Sequence, residues 1–310
     1  MNRCNIRHVI KCVQYEVGNE KNPLLPPNQF VYIDGRTVIN VTDPDQAKTM
    51  YNIYAGFHCN RYNKRKFVDG ALYTDLFEYR KDIIYPSPNE MIELDIAIND
   101  TDEHSFVKIF YDMNENSNYL RALNRLGESL RHCKENTNRS KNKDQGKMFI
   151  VGKGKKGNGS IGSYNLTKST DEIVSAINEV IDIAKDYYLE LGLSDEINEL
   201  DRRKNHGNMG NEKCFVSSIV QSQNLVNAGH YDSDDTTVSI ATWTESKKGM
   251  NNDWYLILPN TTRDGKRGIA IKLHHGVTIT WDGPKIFHCS TIGELDGETN
   301  VYGTLFGCKD

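Results

Sequence analysis

The chain has 310 residues, a hydrophobic content of 37% and a formal net charge of −4. This length and apolar content suit one large domain, or one domain with an N-terminal elaboration. The slightly acidic net charge excludes the class of nucleic-acid-binding proteins that are basic over the whole chain. No apolar stretch reaches the roughly 18–20 residues that span a bilayer. The seven cysteines are scattered, which indicates reduced thiols and an intracellular protein, with the nucleus as one open location.

The first region, residues 1–133, mixes short β-branched and aromatic runs with charged stretches. Leucines recur every three or four residues in its last part, which predicts an amphipathic helix over Tyr119–Cys133. Strands are predicted at Phe30–Ile33, Thr37–Val41, Ile92–Ile98 and Ser105–Tyr111. We expect this region to be a mixed α/β unit that packs on the rest of the chain.

A basic, glycine-rich segment follows over residues 134–168, and we interpret it as a linker or loop with one short strand at Met148–Val151. Residues 134–156 carry a net charge of +6, which leaves the rest of the chain near −10. Gly152, Gly154 and Gly157 match the G-x-G-x-x-G spacing of a dinucleotide-binding turn. The sequence after them, NGSIGSYNLTKS, is typical of turns and not of the helix that such a site requires, so we disfavour a nucleotide site.

The third region, residues 169–310, begins with the clearest helix and continues as one short strand after another. Ser169 and Glu172 have the spacing of a capping box, and Gly192 can end the helix in a left-handed conformation. Beyond residue 212, turn residues separate β-branched and aromatic runs, which predicts an antiparallel sandwich or barrel. The predicted strands are Cys214–Val220, Thr236–Trp243, Trp254–Leu258, Ile269–Leu273, Val277–Trp281, Ile286–Cys289 and Val301–Gly307. The expected fold class is α+β, with helices supporting a C-terminal β core.

The stretch NAGHYDSDDTTVSIATWTE crowds three carboxylates at the start of a predicted strand. Such crowding costs stability unless a cation or solvent relieves it. His230 and Asp232 are two residues apart, so on a strand or at its end they point to one side and can reach one cation. A facial triad needs a second imidazole from a distant strand, and His288 is the candidate. The alternative is a solvated acidic turn and an ordinary buried histidine.

The order H-x-D, strands, glycine turn, strand, His and last strand resembles the Fe(II)/2-oxoglutarate-dependent dioxygenases. The similar blocks lie within residues 212–310 and are HYDSDDTTVSIATWTE, NDWYLILPN, GIAIKLHHGVTITWDGPKIFHCSTI and NVYGTLFGCK. A narrower resemblance of the same blocks is to the DNA-modifying TET/JBP-like branch. The resemblance implies a double-stranded β-helix, or jelly roll, in which His230, Asp232 and His288 hold Fe(II). It also implies 2-oxoglutarate and O2 as cosubstrates in the hydroxylation of a C–H bond.

The last predicted strand departs from the family's pattern. The family implies an Arg or Lys there for the far carboxylate of 2-oxoglutarate, commonly in R-x-S, whereas this chain has Tyr302 and Thr304. These two side chains share one face and can hydrogen-bond a carboxylate, but they supply no charge. We expect Lys272, in the run AIKL, to supply it, with Lys309 and Arg267 as further candidates. The alternative for Lys272 is an outward-facing edge lysine.

Substrate-binding residues are predicted by their chemical type. A flipped base needs a stacking aromatic, polar groups for its edge and basic residues for the phosphates. Trp243 can stack on the base, and Asn227 can bond its edge. Lys153, Lys155 and Lys156 can contact the phosphates. Core packing and a solvated loop are the ordinary alternatives.

Three classes of function therefore stay open. The first is an iron oxygenase that acts on nucleic acid, for example on the methyl group of 5-methylcytosine. The second is the same chemistry on a protein side chain or a small molecule. The third is a β-sandwich binding module without catalysis.

Overall fold

The structure is a computed structural model. It describes residues 6–14, 30–34, 37–41, 83–84, 90–98, 101–112, 117–133, 146–155, 161–164, 170–204, 211–225, 227–232, 234–247, 254–258, 261–262, 269–273, 275–291 and 299–309. The strands are β1 (Ile6–Gln14), β2 (Phe30–Asp34), β3 (Thr37–Val41), β4 (Ile83–Ile84), β5 (Glu90–Ile98), β6 (His104–Tyr111), β7 (Lys147–Lys155), β8 (Ile161–Tyr164), β9 (Ser218–Gln223), β10 (Asn227–His230), β11 (Val238–Glu245), β12 (Tyr255–Leu258), β13 (Thr261–Thr262), β14 (Ile269–Lys272), β15 (Val277–Asp282), β16 (His288–Thr291) and β17 (Val301–Gly307). The helices are α1 (Asn118–Leu130), α2 (Asp171–Glu190) and α3 (Ser194–Arg203).

Eight strands of the C-terminal half form two four-stranded antiparallel sheets in a jelly-roll arrangement. The strand order is β15-β11-β17-β9 in the larger sheet and β10-β16-β12-β14 in the smaller one. The chain changes sheet at every step from β9 to β12 and again from β14 to β17. Strands far apart in the sequence therefore become neighbours. The expected α+β fold with a double-stranded β-helix core is confirmed.

The larger sheet continues on both sides of the jelly roll. Strands β6, β5, β1 and β13 follow β15 on one side, and β7 and β8 follow β9 on the other. The described strands β1, β5 and β6 of the N-terminal region thus belong to the same sheet as the C-terminal core. Strand β4 extends the smaller sheet, while β2 and β3 form a separate pair among the described strands.

The described helices cover the outer face of the larger sheet. Helix α2 begins after Thr170, whose hydroxyl accepts a hydrogen bond from the backbone N–H of Ile173, so the cap is one residue later than the predicted Ser169. It ends before Gly192, whose φ of 86° confirms the predicted left-handed residue. No helix in the described ranges combines the length and apolar character needed to cross a membrane.

Two apolar cores lie on opposite faces of the larger sheet. The outer core is between this sheet and the helices and includes Tyr188 and Phe306, whose rings meet edge to face at 5.7 Å. The inner core fills the space between the sheets and contains all three tryptophans, Trp243, Trp254 and Trp281. The central strands are therefore buried on both faces, and alternation along each strand decides which core a residue joins.

Part of the predicted linker is a hairpin. Residues 147–155 and 161–164 form β7 and β8, which pair with each other at the edge of the larger sheet. Glycine and lysine alternate in this stretch, and because both are depleted in strands the sequence reads as a loop. Tertiary pairing with β9 overrides that weak preference.

We expect Gly127 of α1 to resist substitution even by alanine. A Cβ at this position would lie 2.4 Å from Cγ of the fully buried Tyr302 ring in β17. Gly127→Ala should lower the free energy of unfolding by about 1–3 kcal/mol in urea denaturation, with Ser129→Ala in the same helix as a control of small effect. Since alanine is the better helix former by about 1 kcal/mol, a stabilised Gly127→Ala protein would contradict this packing.

Candidate metal centre

Two histidines meet because β10 and β16 are neighbours in the smaller sheet. His230, the last residue of β10, pairs directly with His288, the first residue of β16. The register shifts between Asn227 and His230, so an irregularity in the strand sets which residue faces His288. The centroids of the two imidazole rings are 4.4 Å apart.

Asp232 enters from the turn that follows β10. Its backbone N–H donates to the carbonyl of Gly283 at 2.9 Å, in the turn between β15 and β16. A Cβ at Gly283 would lie 2.8 Å from Cβ of Asp232 and 3.2 Å from its Oδ2. The two turns can therefore approach this closely only with glycine at position 283.

The three side chains converge on one point. Asp232 Oδ1 lies 3.3 Å from His230 Nε2, and Asp232 Oδ2 lies 3.4 Å from His288 Nε2. One potential ligand atom from each residue is within 4.8 Å of the other two. The side chain of His288 is 6% exposed, whereas those of His230 and Asp232 are 15% and 19% exposed. The cluster is thus open to solvent on the side of His230 and Asp232.

The surroundings prepare His288 as a neutral ligand. Its Nδ1 lies 2.9 Å from the carbonyl oxygen of Ile286, which can only accept, so Nδ1 carries the proton and Nε2 presents its lone pair. Burial, assisted by repulsion from His230, lowers the pKa of His288 to about 4. Burial would raise the pKa of Asp232, but the imidazoles of His288 and His230 outweigh it and hold that pKa well below its usual range. At neutral pH, His288 is uncharged and Asp232 is ionised, which are the states that bind metals.

A buried cation supports the other two carboxylates of the acidic stretch. Lys309 Nζ contacts the carboxylate of Asp235 and lies 3.3 Å from Oδ2 of Asp234. The hydroxyl of Ser239 also donates to Asp235, at 2.6 Å. Burial raises the pKa of Asp235 to about 6 against the opposing effect of Lys309. The charge on Lys309 therefore relieves part of the crowding that the sequence predicts.

Tryptophans line the inner side of the cluster. The ring of Trp281 packs edge-on against His288 with centroids 5.3 Å apart, and Trp243 stacks beyond it at 6.4 Å. The indole nitrogen of Trp281 is buried and has no hydrogen-bond partner in the described part of the chain. Because an unpaired buried N–H is costly, this donor favours an oxygen-bearing ligand beside the cluster.

The donor set fits a divalent transition metal. Two imidazole nitrogens and one carboxylate oxygen, presented from one side, hold non-haem Fe(II) and leave coordination positions open for other ligands. The fixed tautomer of His288, the ionised Asp232 and the unpaired Trp281 N–H agree with this use. The fold thus brings together the three residues that the sequence singles out.

Tyr302 and Thr304 do not face this cluster, which corrects the expectation that they bind the cosubstrate. The Tyr302 hydroxyl donates to Oε1 of Glu128 in α1, and the Thr304 hydroxyl donates to Oε1 of Gln221, both at 2.6 Å. Both side chains point toward the helical layer, and the odd-numbered residues of β17 point into the jelly roll. The sequence does not reveal this because the strand is buried on both faces.

Lys272 also lies away from the cluster. It pairs with Tyr255, and the next residue of β12, Leu256, pairs with Ser290, so Lys272 and Ser290 lie on opposite faces of the smaller sheet. His288 is two residues from Ser290 in the same strand and lies on the face of Ser290, opposite to Lys272. Lys272 Nζ instead lies 4.8 Å from the ring centroid of Tyr255, a cation–π contact. The expected placement of Lys272 in the site is therefore wrong.

Other predicted binding residues are distributed along the strands. Asn227 begins β10 opposite Ser290, and Trp243 faces the inner core. Lys153 lies in β7 and is half-buried. The side chain of Lys155, all of Lys156 and Arg267 lie outside the described residues.

The β7–β8 hairpin lies at the end of the larger sheet that carries the cluster. Gly152 pairs with Ser218, and Ser218 pairs with Gly307, next to the bridge between Asp235 and Lys309. Residues 153–155 of β7 extend past this line of paired residues, beyond the first residue of β9. The basic end of β7 is thus at the same end of the jelly roll as the turn after β10, which carries Asp232.

Some residues of the site have little signal in the sequence. The residues WDGP mark a turn at Gly283, but nothing in them shows its contact with Asp232. Ser239 is in β11 and Lys309 follows β17, and only the excess of acidic residues near Asp235 indicates that a buried cation is needed. Trp281 is one of three tryptophans, and its place beside His288 depends on the pairing of strands.

Comparisons with known proteins give weak likenesses only. Neither a protein-family model nor a curated protein matches the chain. The crystal structure of JOX2 in complex with 2OG, Fe and JA aligns with 65% of this chain and 68% of its own, at 12% identity and a TM-score of 0.36. OsALKBH1 aligns over 64% and 96% at 10% identity and 0.35. A Pseudomonas putida prolyl-4-hydroxylase aligns over 66% and 92% at 8% identity and 0.35. These values assign neither a family nor a function.

Gly283→Ala should weaken metal binding without unfolding the protein. The added Cβ would push the carboxylate of Asp232 away from the two imidazoles. We expect the Kd for Mn(II), measured by calorimetry, to rise about tenfold or more, as for other residues that orient ligands. Pro284→Ala in the same turn is the matched control, and equal affinities for the two variants would contradict the role of Gly283.

His288 should make the fold less stable as the pH falls from 7 to 5. Its pKa is about 4 in the folded protein and near 6.5 in an unfolded chain, so the unfolded chain binds the extra proton. This contribution is complete above pH 6.5 and is lost as the pH falls toward 4. In urea denaturation of metal-free protein, wild type should lose about 2 kcal/mol more than His288→Gln between pH 7 and 5.

Protonation of Asp235 has the opposite effect on the stability of the fold over part of this pH range. Its pKa of about 6 lies above the usual value, so the folded protein takes up the proton and its stability falls as the pH rises from about 4 to 6. Because Asp235 is present in both proteins, its contribution largely cancels in the comparison. Equal losses of stability in the two proteins would contradict the prediction.

Proposed function

We propose that this chain is an Fe(II)- and 2-oxoglutarate-dependent dioxygenase that hydroxylates a C–H bond, with the methyl group of a modified pyrimidine in DNA as its substrate. The observation that carries the reaction class is the convergence of His230, Asp232 and His288 at one end of a jelly roll. Two neutral nitrogen donors and one carboxylate suit Fe(II), and the remaining positions suit an oxygen-rich cosubstrate. Structural zinc sites, in contrast, are typically closed by four protein ligands.

Each residue of the cluster has a task in this proposal. His230, Asp232 and His288 would hold the iron, which together with 2-oxoglutarate and O2 supplies the oxidising chemistry when bound. The carbonyl of Ile286 keeps the proton on Nδ1 of His288 and so keeps Nε2 available. The buried ring of Trp281 excludes water from the inner side of the site.

Two features support DNA as the substrate. Tyr231 lies between two of the proposed ligands, is partly exposed and contacts Phe287 with ring centroids 5.2 Å apart. An aromatic ring at this position suits stacking on a flipped base. Lys153 and Lys155 lie in the end of β7 on the same side of the jelly roll, where positive charge favours phosphates.

The reaction class is tested by spectroscopy without oxygen. Fe(II) and 2-oxoglutarate should give wild-type protein a weak visible charge-transfer band, which Asp232→Ala and His288→Ala should abolish because each removes one ligand. His104→Ala is the matched control, since His104 and Asp95 form another His–Asp pair, with Nδ1 2.5 Å from Oδ1. A band that survives in both cluster variants would refute the assignment.

The substrate is tested with duplexes that contain 5-methylcytosine or thymine. After incubation with iron, 2-oxoglutarate, O2 and ascorbate, mass spectrometry of the digested DNA should find hydroxymethylated base, at a level at least about a hundredfold lower in Asp232→Ala. Succinate formation without any oxidised base would count against DNA. It would leave a protein side chain or a small molecule as the substrate.

The lysines are tested by binding. Replacing Lys153, Lys155 and Lys156 by glutamine should weaken DNA binding and reduce the slope of log K against log salt by about 2–3, because three phosphate contacts are lost. A control triple variant at Lys147, Lys185 and Lys213, which lie elsewhere on the surface, should keep the wild-type slope. Identical slopes in both triple variants would contradict this placement of DNA.

A further inference from the structure

A side chain of the first strand contacts the turn that precedes His288. Gln14 is the last residue of β1 and is only 2% exposed. Its Nε2 donates to the carbonyl of Lys285 at 2.5 Å, and its Oε1 accepts from the backbone N–H of Phe287 at 3.1 Å. Because that carbonyl can only accept and that N–H can only donate, the two partners fix the orientation of the amide.

These two hydrogen bonds flank the carbonyl that fixes the tautomer of His288. Ile286 lies between Lys285 and Phe287, and its carbonyl oxygen is 2.9 Å from Nδ1 of His288. Gln14 therefore holds the residues on both sides of Ile286 and leaves the Ile286 carbonyl to the imidazole. The orientation of His288 thus depends on a backbone segment that is held from a strand 271 residues before Lys285.

Strand pairing explains how β1 reaches this turn. The larger sheet has the order β1-β5-β6-β15 in this part, and Gln14 pairs with Ile98, the last residue of β5. Glu103 lies between β5 and β6, and its Oε1 is 2.9 Å from Nζ of Lys285. The chain after β15 therefore runs along this edge of the larger sheet and meets Gln14 before it enters the smaller sheet as β16.

An amide side chain is suited to make both contacts at once. A backbone carbonyl needs a donor and a backbone N–H needs an acceptor, and the amide of Gln14 carries both. An apolar residue of similar size would leave the two backbone groups without these partners in a buried place. Because a buried amide is costly where packing alone is needed, its presence at position 14 points to the orientation of the turn.

We propose that Gln14 is a positioning residue of the metal centre, which holds residues 285–287 so that the Ile286 carbonyl directs Nε2 of His288 toward the other two ligands. The inference rests on the proposed function, because it assigns Gln14 to the same site. Groups that orient a metal-binding imidazole typically change metal affinity by about ten- to a hundredfold. Gln14 acts one step further from the metal, so we expect an effect at the lower end of this range.

The test replaces Gln14 by methionine, which has a similar size but lacks the amide donor and acceptor. Gln221→Met is the matched control, because Gln221 is also a buried glutamine, 3% exposed, and its Oε1 accepts from Thr304 on the helical face of the larger sheet. Calorimetry should find a Kd for Mn(II) about tenfold higher in Gln14→Met than in wild type, and an unchanged Kd in Gln221→Met.

A second measurement needs no metal. Long-range proton–nitrogen NMR spectra of the imidazole rings distinguish the two tautomers, and the signals of His288 are those that disappear in His288→Gln. Metal-free wild type should carry the proton on Nδ1 alone, whereas Gln14→Met should show both tautomers because the Ile286 carbonyl is no longer held. Urea denaturation of the two methionine variants separates a general loss of stability from a loss of orientation. Either a wild-type Kd or a wild-type tautomer in Gln14→Met would overturn the proposal, whatever stability that variant loses.

Gln14→Asn is the second variant. It keeps an amide but is shorter by one methylene group, so the amide cannot reach both Lys285 and Phe287. If Gln14→Met does not fold, we expect the raised Kd and the mixture of tautomers in Gln14→Asn, and wild-type values there overturn the proposal.

The two proposals fail in different ways. If wild type binds Mn(II) and gives the Fe(II)–2-oxoglutarate band, but Gln14→Met matches Gln221→Met in Kd and tautomer, only the present inference fails. If wild type binds no Mn(II) and gives no band, the dioxygenase assignment fails, and Gln14 then has no metal centre to position.

Discussion

The pairing of β10 with β16 is the constraint on which the site depends. It sets His230 opposite His288, although the chain between them forms five other strands. A shift of one residue would turn His288 to the outer face of the smaller sheet, because side chains alternate along a strand. The pairing of Ile257 with Cys289 on the other side of β16 opposes such a shift. The geometry of the site therefore depends on the strand register of the smaller sheet.

Electrostatics explains why an acidic stretch can be buried here. Asp232 is beside two imidazoles, while Asp235 lies against Lys309 and Ser239, so each buried carboxylate has a partner of its own. The Lys309 ammonium comes from the segment after the last strand, which links the end of β17 to the turn after β10. A divalent ion between the imidazoles and Asp232 would add the positive charge that this balance still lacks.

The larger sheet separates two chemically different interiors. Toward the helices it presents hydroxyl groups, such as Thr242, which lies 3.1 Å from the hydroxyl of Tyr188 and 2.8 Å from that of Thr278. Toward the smaller sheet it presents tryptophans and aliphatic side chains, with serines and glycines among them. The hydroxyl groups on the first face satisfy one another, so that polar residues can be buried there without a ligand. The indole N–H of Trp281 on the second face lacks such a partner in the described part of the chain.

The sequence by itself determined seven of the eight jelly-roll strands, with shifted ends and without β10, together with the helix that ends before Gly192 and the identity of His230, Asp232 and His288 as candidate ligands. Periodicity and turn residues report local structure, and a rare residue pattern such as H-x-D reports chemistry. Only the tertiary structure decided that Tyr302, Thr304 and Lys272 face away from the site. In strands that are buried on both faces, apolar and polar residues occur on either side, so the pattern does not distinguish the faces. Strand pairing makes that choice, and with it places Trp281 and Gly283 beside the triad.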